Sequence, residues 1–261
     1  MPDLLPFLHQ LSATARGVTL GAAVPGADNK AGEGGYDPVT ELDRGAERAL
    51  RAAIEAAFPD DGIEGEEYGL VRPDARRRWL LDPVDGTRAL ICGLPSWTTL
   101  VALLEDGEPV AGFIDAPALD ELMIGLPGRT TLNGEEVRVS GCTNLADARL
   151  SSTDPYLFDG AEAEAFERVR RAARLTRFGY DALAYARLAA GHLDLVIENK
   201  LHRHDWAALV PVVRGAGGVI GDWHGGSDFE PGSIVAAASS KLYEAAVALL
   251  QGTSRTSSPS N

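Results

Sequence analysis

Cysteine is scarce in this chain, with only Cys92 and Cys142 among 261 residues. Two are too few for a disulfide framework, and neither sits in a local nucleophile motif, so both are expected to be small core residues rather than catalysts. Basic residues are also in deficit: 24 Lys and Arg stand against 38 Asp and Glu, a net charge of -14. Such a surface repels nucleic acid and anionic membranes at long range, so neither is expected as a partner. It does not exclude a phosphate ligand, because bound cations can reverse the sign locally. Apolar runs long enough to span a bilayer are missing, and Met1 to His9 already carries Asp3; a soluble, cytoplasmic protein is the expectation. No internal repeat is visible. Residues 252–261 hold almost nothing to bury and are expected to form a disordered tail.

What the chain does have is size and a 45% hydrophobic content, enough for two tightly packed subdomains. Leu4, Leu5, Leu8, Leu11 and Ala15 recur at helical spacing, and a second helix follows Thr40, its natural N-cap. Ala27 to Pro38 between them is glycine-rich and polar, hence a loop. From Arg78 the period shortens. Trp79 to Leu81 reads as a buried strand, Thr98–Leu104 and Pro109–Asp115 as a hairpin about Asp106-Gly107, and Leu122–Leu126 as a further strand. Asn133-Gly134 marks a tight turn before Val137–Ser140. Helices are expected over Glu162–Arg174, Asp181–Ala190 and Asp205–Gly215, and strands over Leu193–Ile197 and Val219–Trp223. The chain therefore reads as α/β, with an α+β half over 1–141 and an α/β half over 142–251.

The chemistry gathers where the apolar run Trp79-Leu80-Leu81 stops at Asp82, followed through Pro83, Val84 and Gly86 by Asp85 and Thr87. Two carboxylates and a hydroxyl at a strand end suit a hard divalent cation, which prefers oxygen ligands. Asp-Pro and Asp-Gly are also ordinary turn dipeptides, so Asp85 and Gly86 equally fit a tight bend. If Gly86 and Thr87 open a helix, their N–H groups suit a phosphate. Gly65-Glu66-Glu67 upstream and His204-Asp205-Trp206-Ala207-Ala208 downstream add carboxylates. Glu66 and Glu67 also fit solvated loop charges, and Asp205 a helix cap. His202 and His204 raise zinc, but no second soft-ligand set with zinc spacing accompanies them.

These segments, in this order, resemble the motif set of the inositol monophosphatase family of metal-dependent phosphatases, from about Asn29 to about Ser239. The resemblance implies a layered αβαβα sandwich and a homodimer. It implies Glu66, Asp82, Asp85 and Asp205 as metal-binding carboxylates, the Val84 carbonyl as a further ligand, and two or three Mg2+ ions per site. Magnesium's octahedral habit matches carboxylates, one carbonyl and retained waters. The resemblance pairs Thr87 with Asp43 to orient and deprotonate an attacking water, with Glu66 also on the catalytic side. Asp43 equally fits a first-turn helix residue favoured by the helix dipole. Lys30 reads either as ordering the Ala27–Pro38 loop over the site or as a solvated charge.

For the substrate, a small phosphate ester, the resemblance places Glu198 and the Gly179-Tyr180-Asp181-Ala182 segment beside the alcohol part, with Gly86, Thr87 and Asp205 also in contact. Gly86-Thr87-Arg88-Ala89-Leu90 and Ala189-Ala190-Gly191-His192-Leu193-Asp194 look most like the histidinol-phosphatase branch, which implies histidinol phosphate. Inositol monophosphate and sugar or nucleotide phosphates are the alternatives, as is a non-enzymatic metal- or phosphate-binding regulator on the same fold. Tyr180 departs from that branch's usual glycine and is expected to narrow the pocket. Arg214 departs from the family's glutamate and is expected to be peripheral. Asp181 has its own alternative as N-cap of the helix after it.

Overall fold

The computed structural model describes residues 4–20, 28–29 and 38–252. Lys30, most of the Ala27–Pro38 loop and the expected tail beyond Gly252 lie outside the described residues.

Helix α1 (Leu4–Thr19) buries Phe7, Leu8, Leu11 and Ala15 along one stripe. A short pair, β1 (Asp28–Asn29) and β2 (Pro38–Val39), precedes α2 (Glu41–Ala57). Thr40 caps α2 as expected: its hydroxyl accepts from the Leu42 N–H at 3.1 Å, and Asp43 returns the contact by accepting the Thr40 N–H at 2.9 Å. Then come β3 (Gly62–Gly65), β4 (Gly69–Val71), β5 (Arg77–Asp85) and the short helix α3 (Thr87–Ile91). They are followed by β6 (Thr98–Glu105), β7 (Glu108–Ala116), β8 (Glu121–Leu126), β9 (Arg129–Leu132) and β10 (Glu135–Val137). These strands build an eight-stranded sheet in the order β10-β9-β8-β7-β6-β5-β3-β4. It is antiparallel except where β3 runs parallel to β5.

The remaining chain supplies β11 (Arg149–Ser152), α4 (Gly160–Ala172), β12 (Leu175–Phe178), α5 (Leu183–Ala189) and β13 (Leu195–Glu198). After them lie α6 (Arg203–Ala207), α7 (Leu209–Gly215), β14 (Val219–Asp222), β15 (Ile234–Ala237) and α8 (Ser240–Leu250). The five strands form a second sheet, β12-β11-β13-β15-β14.

Strand alternation fixes the layers. Trp79 and Leu81 of β5, with Val101 and Leu103 of β6, pack against α1 and α2. Leu80, Leu100 and Ala102 point the other way, into a middle layer with residues of α5, α6 and α7. Val196 of β13 faces that same middle layer, while Leu195 and Ile197 face α4 and α8. The result is the αβαβα sandwich. Among the described residues no helix is long and apolar enough to cross a membrane.

Several expectations need correction. The single helix expected over Asp205–Gly215 is two, α6 and α7, meeting at Ala208. The helix expected from Asp181 begins at Leu183. Strand β10 ends at Val137 instead of running to Ser140. Cys92 is exposed and Cys142 only partly buried, so neither is a core residue. Tyr180 packs against the middle core, and Arg214 is exposed on α7 as expected.

One irregularity positions the site. In a regular strand, residues three apart point to opposite faces. Asp82 pairs with Leu100 and Asp85 with Thr98, so three steps on β5 meet two on β6. This bulge at Pro83-Val84 absorbs one residue and turns both aspartates toward the middle layer. Pro83 has no N–H to strand there, and its carbonyl accepts the buried Thr99 hydroxyl at 2.8 Å. Thr99→Val should therefore cost about 1 to 3 kcal/mol through the lost buried donor. Urea unfolding measures this; an unchanged midpoint would mean that other bonds hold the bulge.

Candidate active site

Asp82 and Asp85 come from the bulge and Asp205 from the first turn of α6. One carboxylate oxygen of each lies within 4.8 Å of the others. Asp205 does not cap α6 from the N-cap position, which is His202; it sits at N3, where it accepts the His202 N–H at 2.7 Å. Asp82 accepts the Val84 N–H at 3.1 Å, and Asp85 accepts the Ala182 N–H at 2.8 Å and the Thr98 hydroxyl at 3.1 Å.

Burial, followed by repulsion from Glu66, Asp85 and Asp205, pushes the Asp82 carboxyl well above the usual carboxylate range. Burial and then Asp181 and Asp205 do the same to Asp85. Asp205 is raised by burial, against the pull of His204 and the His202 N–H. A crowded set of oxygen donors whose ionised forms are disfavoured in each other's presence fits a hard divalent cation such as magnesium.

Glu66 follows β3 directly and its N–H donates to the Leu81 carbonyl at 3.2 Å, which docks it alongside β5. Its charge acts on Asp82, Asp43 and Asp205. It borders the group of three aspartates without being one of the three. The Thr87 hydroxyl lies 3.0 Å from the Val84 carbonyl and 3.5 Å from Asp43 Oδ1. Its single proton thus has two acceptors. Asp43 is buried and its carboxyl is raised by that burial, partly offset by hydrogen bonds from Thr40. Asp43 closes the α2 capping box with one oxygen and meets Thr87 with the other.

A cavity of about 310 Å³ opens beside the aspartates, with Asp85, Gly86, Thr87, Asp181, Glu198 and Asp205 in its wall. Tyr180 is not among the lining residues, contrary to expectation. Gly86 has φ +78°, which favours glycine, and a Cβ there would press on Asp181 Oδ2 at 3.0 Å. Asp181 does not cap the following helix: the N-cap is Ala182, without a side-chain cap bond, and the Ala182 N–H goes to Asp85. Asp181 instead takes a left-handed φ of +47°. Its carboxyl lines the cavity and is pushed by burial to about 6, against the pull of Arg88.

Glu198 is buried, and its Oε1 accepts the Thr153 N–H at 2.7 Å and the Thr153 hydroxyl at 3.0 Å. Its Oε2 and the hydroxyl of Tyr185, which also lines the cavity, lack a hydrogen-bond partner among the described residues. Burial pushes Glu198 to about 8. Thr153 and Tyr185 escaped the sequence reading. Thr153 follows a four-residue strand with no clear alternation, and Tyr185 reads as one more apolar residue of a core helix.

The chain belongs to the inositol monophosphatase family, metal-dependent phosphoric monoester hydrolases, which it matches over residues 3–255. It is 46% identical to the bifunctional phosphatase IMPL2, chloroplastic, of Arabidopsis thaliana, over 72% of this chain and 55% of that protein. It is 36% identical to a histidinol-phosphatase of Chlorobaculum parvum, over 72% of this chain and 73% of that one. The match thus spans little more than half the length of the Arabidopsis relative. Among solved structures, an inositol monophosphatase from Zymomonas mobilis superposes with a TM-score of 0.84 at 40% identity, over 95% of this chain and 98% of that one.

In the metal-free protein the buried Glu198 couples folding to pH. A carboxyl raised from 4.5 to about 8 on folding favours the folded state fully below the lower value, and that contribution is lost as pH rises to the upper one. In chelator, the melting temperature should fall as pH rises through this window, and Glu198→Gln should flatten the slope. A variant slope as steep as wild type would show that Glu198 titrates normally.

Proposed function

We propose that this chain hydrolyses a phosphate monoester with magnesium held by Glu66, Asp82, Asp85, Asp205 and the Val84 carbonyl, and that histidinol phosphate is the preferred substrate. The observation that carries the reading is the convergence of three aspartate oxygens within 4.8 Å, with two of those aspartates, Asp85 and Asp205, in the wall of the cavity. We further propose that residues 1–141 and 142–251 act as two subdomains with the site at their seam, and that the chain works as a cytoplasmic homodimer.

Bound magnesium lowers the pKa of water and compensates charge on the phosphate. The protein's own groups do the rest. Thr87 orients the attacking water, and Asp43, less acidic than usual through burial, receives a proton by way of the Thr87 hydroxyl. Gly86 and Thr87 offer backbone N–H groups to the phosphate. Asp181 faces the alcohol part, where its carboxylate suits the ammonium of histidinol, and Glu198 suits a polar group of either candidate alcohol.

Inositol monophosphate is the second reading. It is favoured by the likeness to the Zymomonas inositol monophosphatase, and by Glu198, whose neutral form both donates to and accepts from hydroxyls. Phosphate release from histidinol phosphate, inositol monophosphate, a sugar bisphosphate and adenosine 3′,5′-bisphosphate ranks the candidates.

Turnover should need magnesium and vanish in excess chelator. Asp85→Asn should abolish it with little loss of folding, because the amide oxygen still accepts from Ala182 and Thr98. Removing one charge from the cluster should even raise the melting temperature of the metal-free protein. Full activity in chelator, or an active Asp85→Asn, would refute the metal assignment.

Asp181→Asn separates the substrates. A charge-assisted bond to an ammonium contributes roughly 1.5 to 3 kcal/mol. Loss of that bond should lower kcat/KM for histidinol phosphate by about tenfold to over a hundredfold while sparing inositol phosphate. An equal effect on both would count against histidinol phosphate.

A further inference from the structure

Glu47 is fully buried on α2, one turn beyond Asp43 and outside the chemistry described above. Its carboxylate accepts the Glu67 N–H at 2.8 Å, the Tyr68 N–H at 3.2 Å and the Arg51 Nε–H at 2.7 Å. The Arg51 guanidinium continues to the Gly69 carbonyl, so an ion pair of α2 grips the β3–β4 turn and the first residue of β4. The chain lies so close here that a Cβ built on Gly65 would overlap the carboxylate. Burying a charge is costly unless paired and hydrogen-bonded, and an apolar contact would tie a hairpin to a helix more cheaply.

The placement of the two peptide groups flanking Glu66 gives the reason. The Glu66 N–H is fixed to Leu81 of β5 and the Glu67 N–H to Glu47 of α2. With both peptides pinned, the direction in which the Glu66 side chain leaves the backbone is set by α2 and β5 together. We propose that Glu47 is a positioning residue that, paired with Arg51, locks the Glu66 carboxylate of the β3–β4 turn in place for magnesium. One face of α2 then serves the site twice, through Asp43 directly and through Glu47 behind Glu66. This rests on the reading of Glu66 as a magnesium ligand.

Magnesium titration calorimetry on the full chain, with melting temperature measured with and without the ion, tests it. Glu47→Gln keeps the shape but turns an NH2 toward one of three donors, and should weaken magnesium binding by about tenfold to a hundredfold. Gly65→Ala keeps the charge but displaces it, and should weaken binding similarly. In both, excess magnesium should restore much of the phosphatase rate. Ile54→Val, a cavity in the buried face of the same helix, should lower the melting temperature without changing magnesium affinity. Wild-type magnesium affinity in folded Glu47→Gln and Gly65→Ala, or an equal loss in Ile54→Val, would overturn the proposal. If Glu47→Gln does not fold, Gly65→Ala decides. A wild-type chain that binds no magnesium would instead remove the metal reading itself.

Discussion

Three carboxylates held with oxygens within 4.8 Å repel one another. At about 5 Å and an effective dielectric near 20, each ionised pair costs about 3 kcal/mol. Left to themselves the side chains would rotate apart into solvent, so the scaffold has to hold them together. It does so with the main chain. Asp82 is bonded to the Val84 N–H, Asp85 to that of Ala182 and Asp205 to that of His202. Two more acids follow the same pattern, Asp43 with the Thr40 N–H and Glu198 with that of Thr153. One oxygen of each acid is committed to the fold, which fixes where the other can go.

One of these bonds also ties the first sheet to α5. Asp85 at the end of β5 satisfies the N–H at the start of α5, 97 residues away in sequence. The middle layer, built from both sheets and from α5, α6 and α7, therefore has its polar end at the site. Packing supplies the rigidity and the carboxylates supply the registration. The same contact explains why Asp181 is available to the cavity: the helix it would have capped is already capped from the other sheet.

Much of this was legible in the sequence. The apolar run into Asp82, the Thr40 cap, the α1 stripe and the hairpin about Asp106-Gly107 are local signals, and local structure obeyed them. Short strands of mixed character were not legible. Arg149–Ser152 and Leu175–Phe178 show no clean alternation, and Ile234–Ala237 is too short and alanine-rich to separate from a helix. At Asp181 the cap alternative fails for a related reason: local preference favours a cap, and a distant carboxylate took the task. Glu47 and Tyr185 owe their places to close approach between distant segments, which no window of sequence records.

The bulge in β5 also bears on how this stretch can change over time. The side chain at Val84 can be exchanged for others of similar size, but the count of residues between the two aspartates cannot change. Deleting one would restore the regular pleat with both aspartates still on one face, yet it would remove a whole peptide group. Lost with it would be either the Pro83 carbonyl that holds Thr99 or the Val84 carbonyl beside the Thr87 hydroxyl. Adding one would widen the bulge or swing Asp85 to the face covered by α1 and α2. Spacing is therefore constrained more strictly than composition here, and a length change between Asp82 and Asp85 would spare the fold before it spared the site.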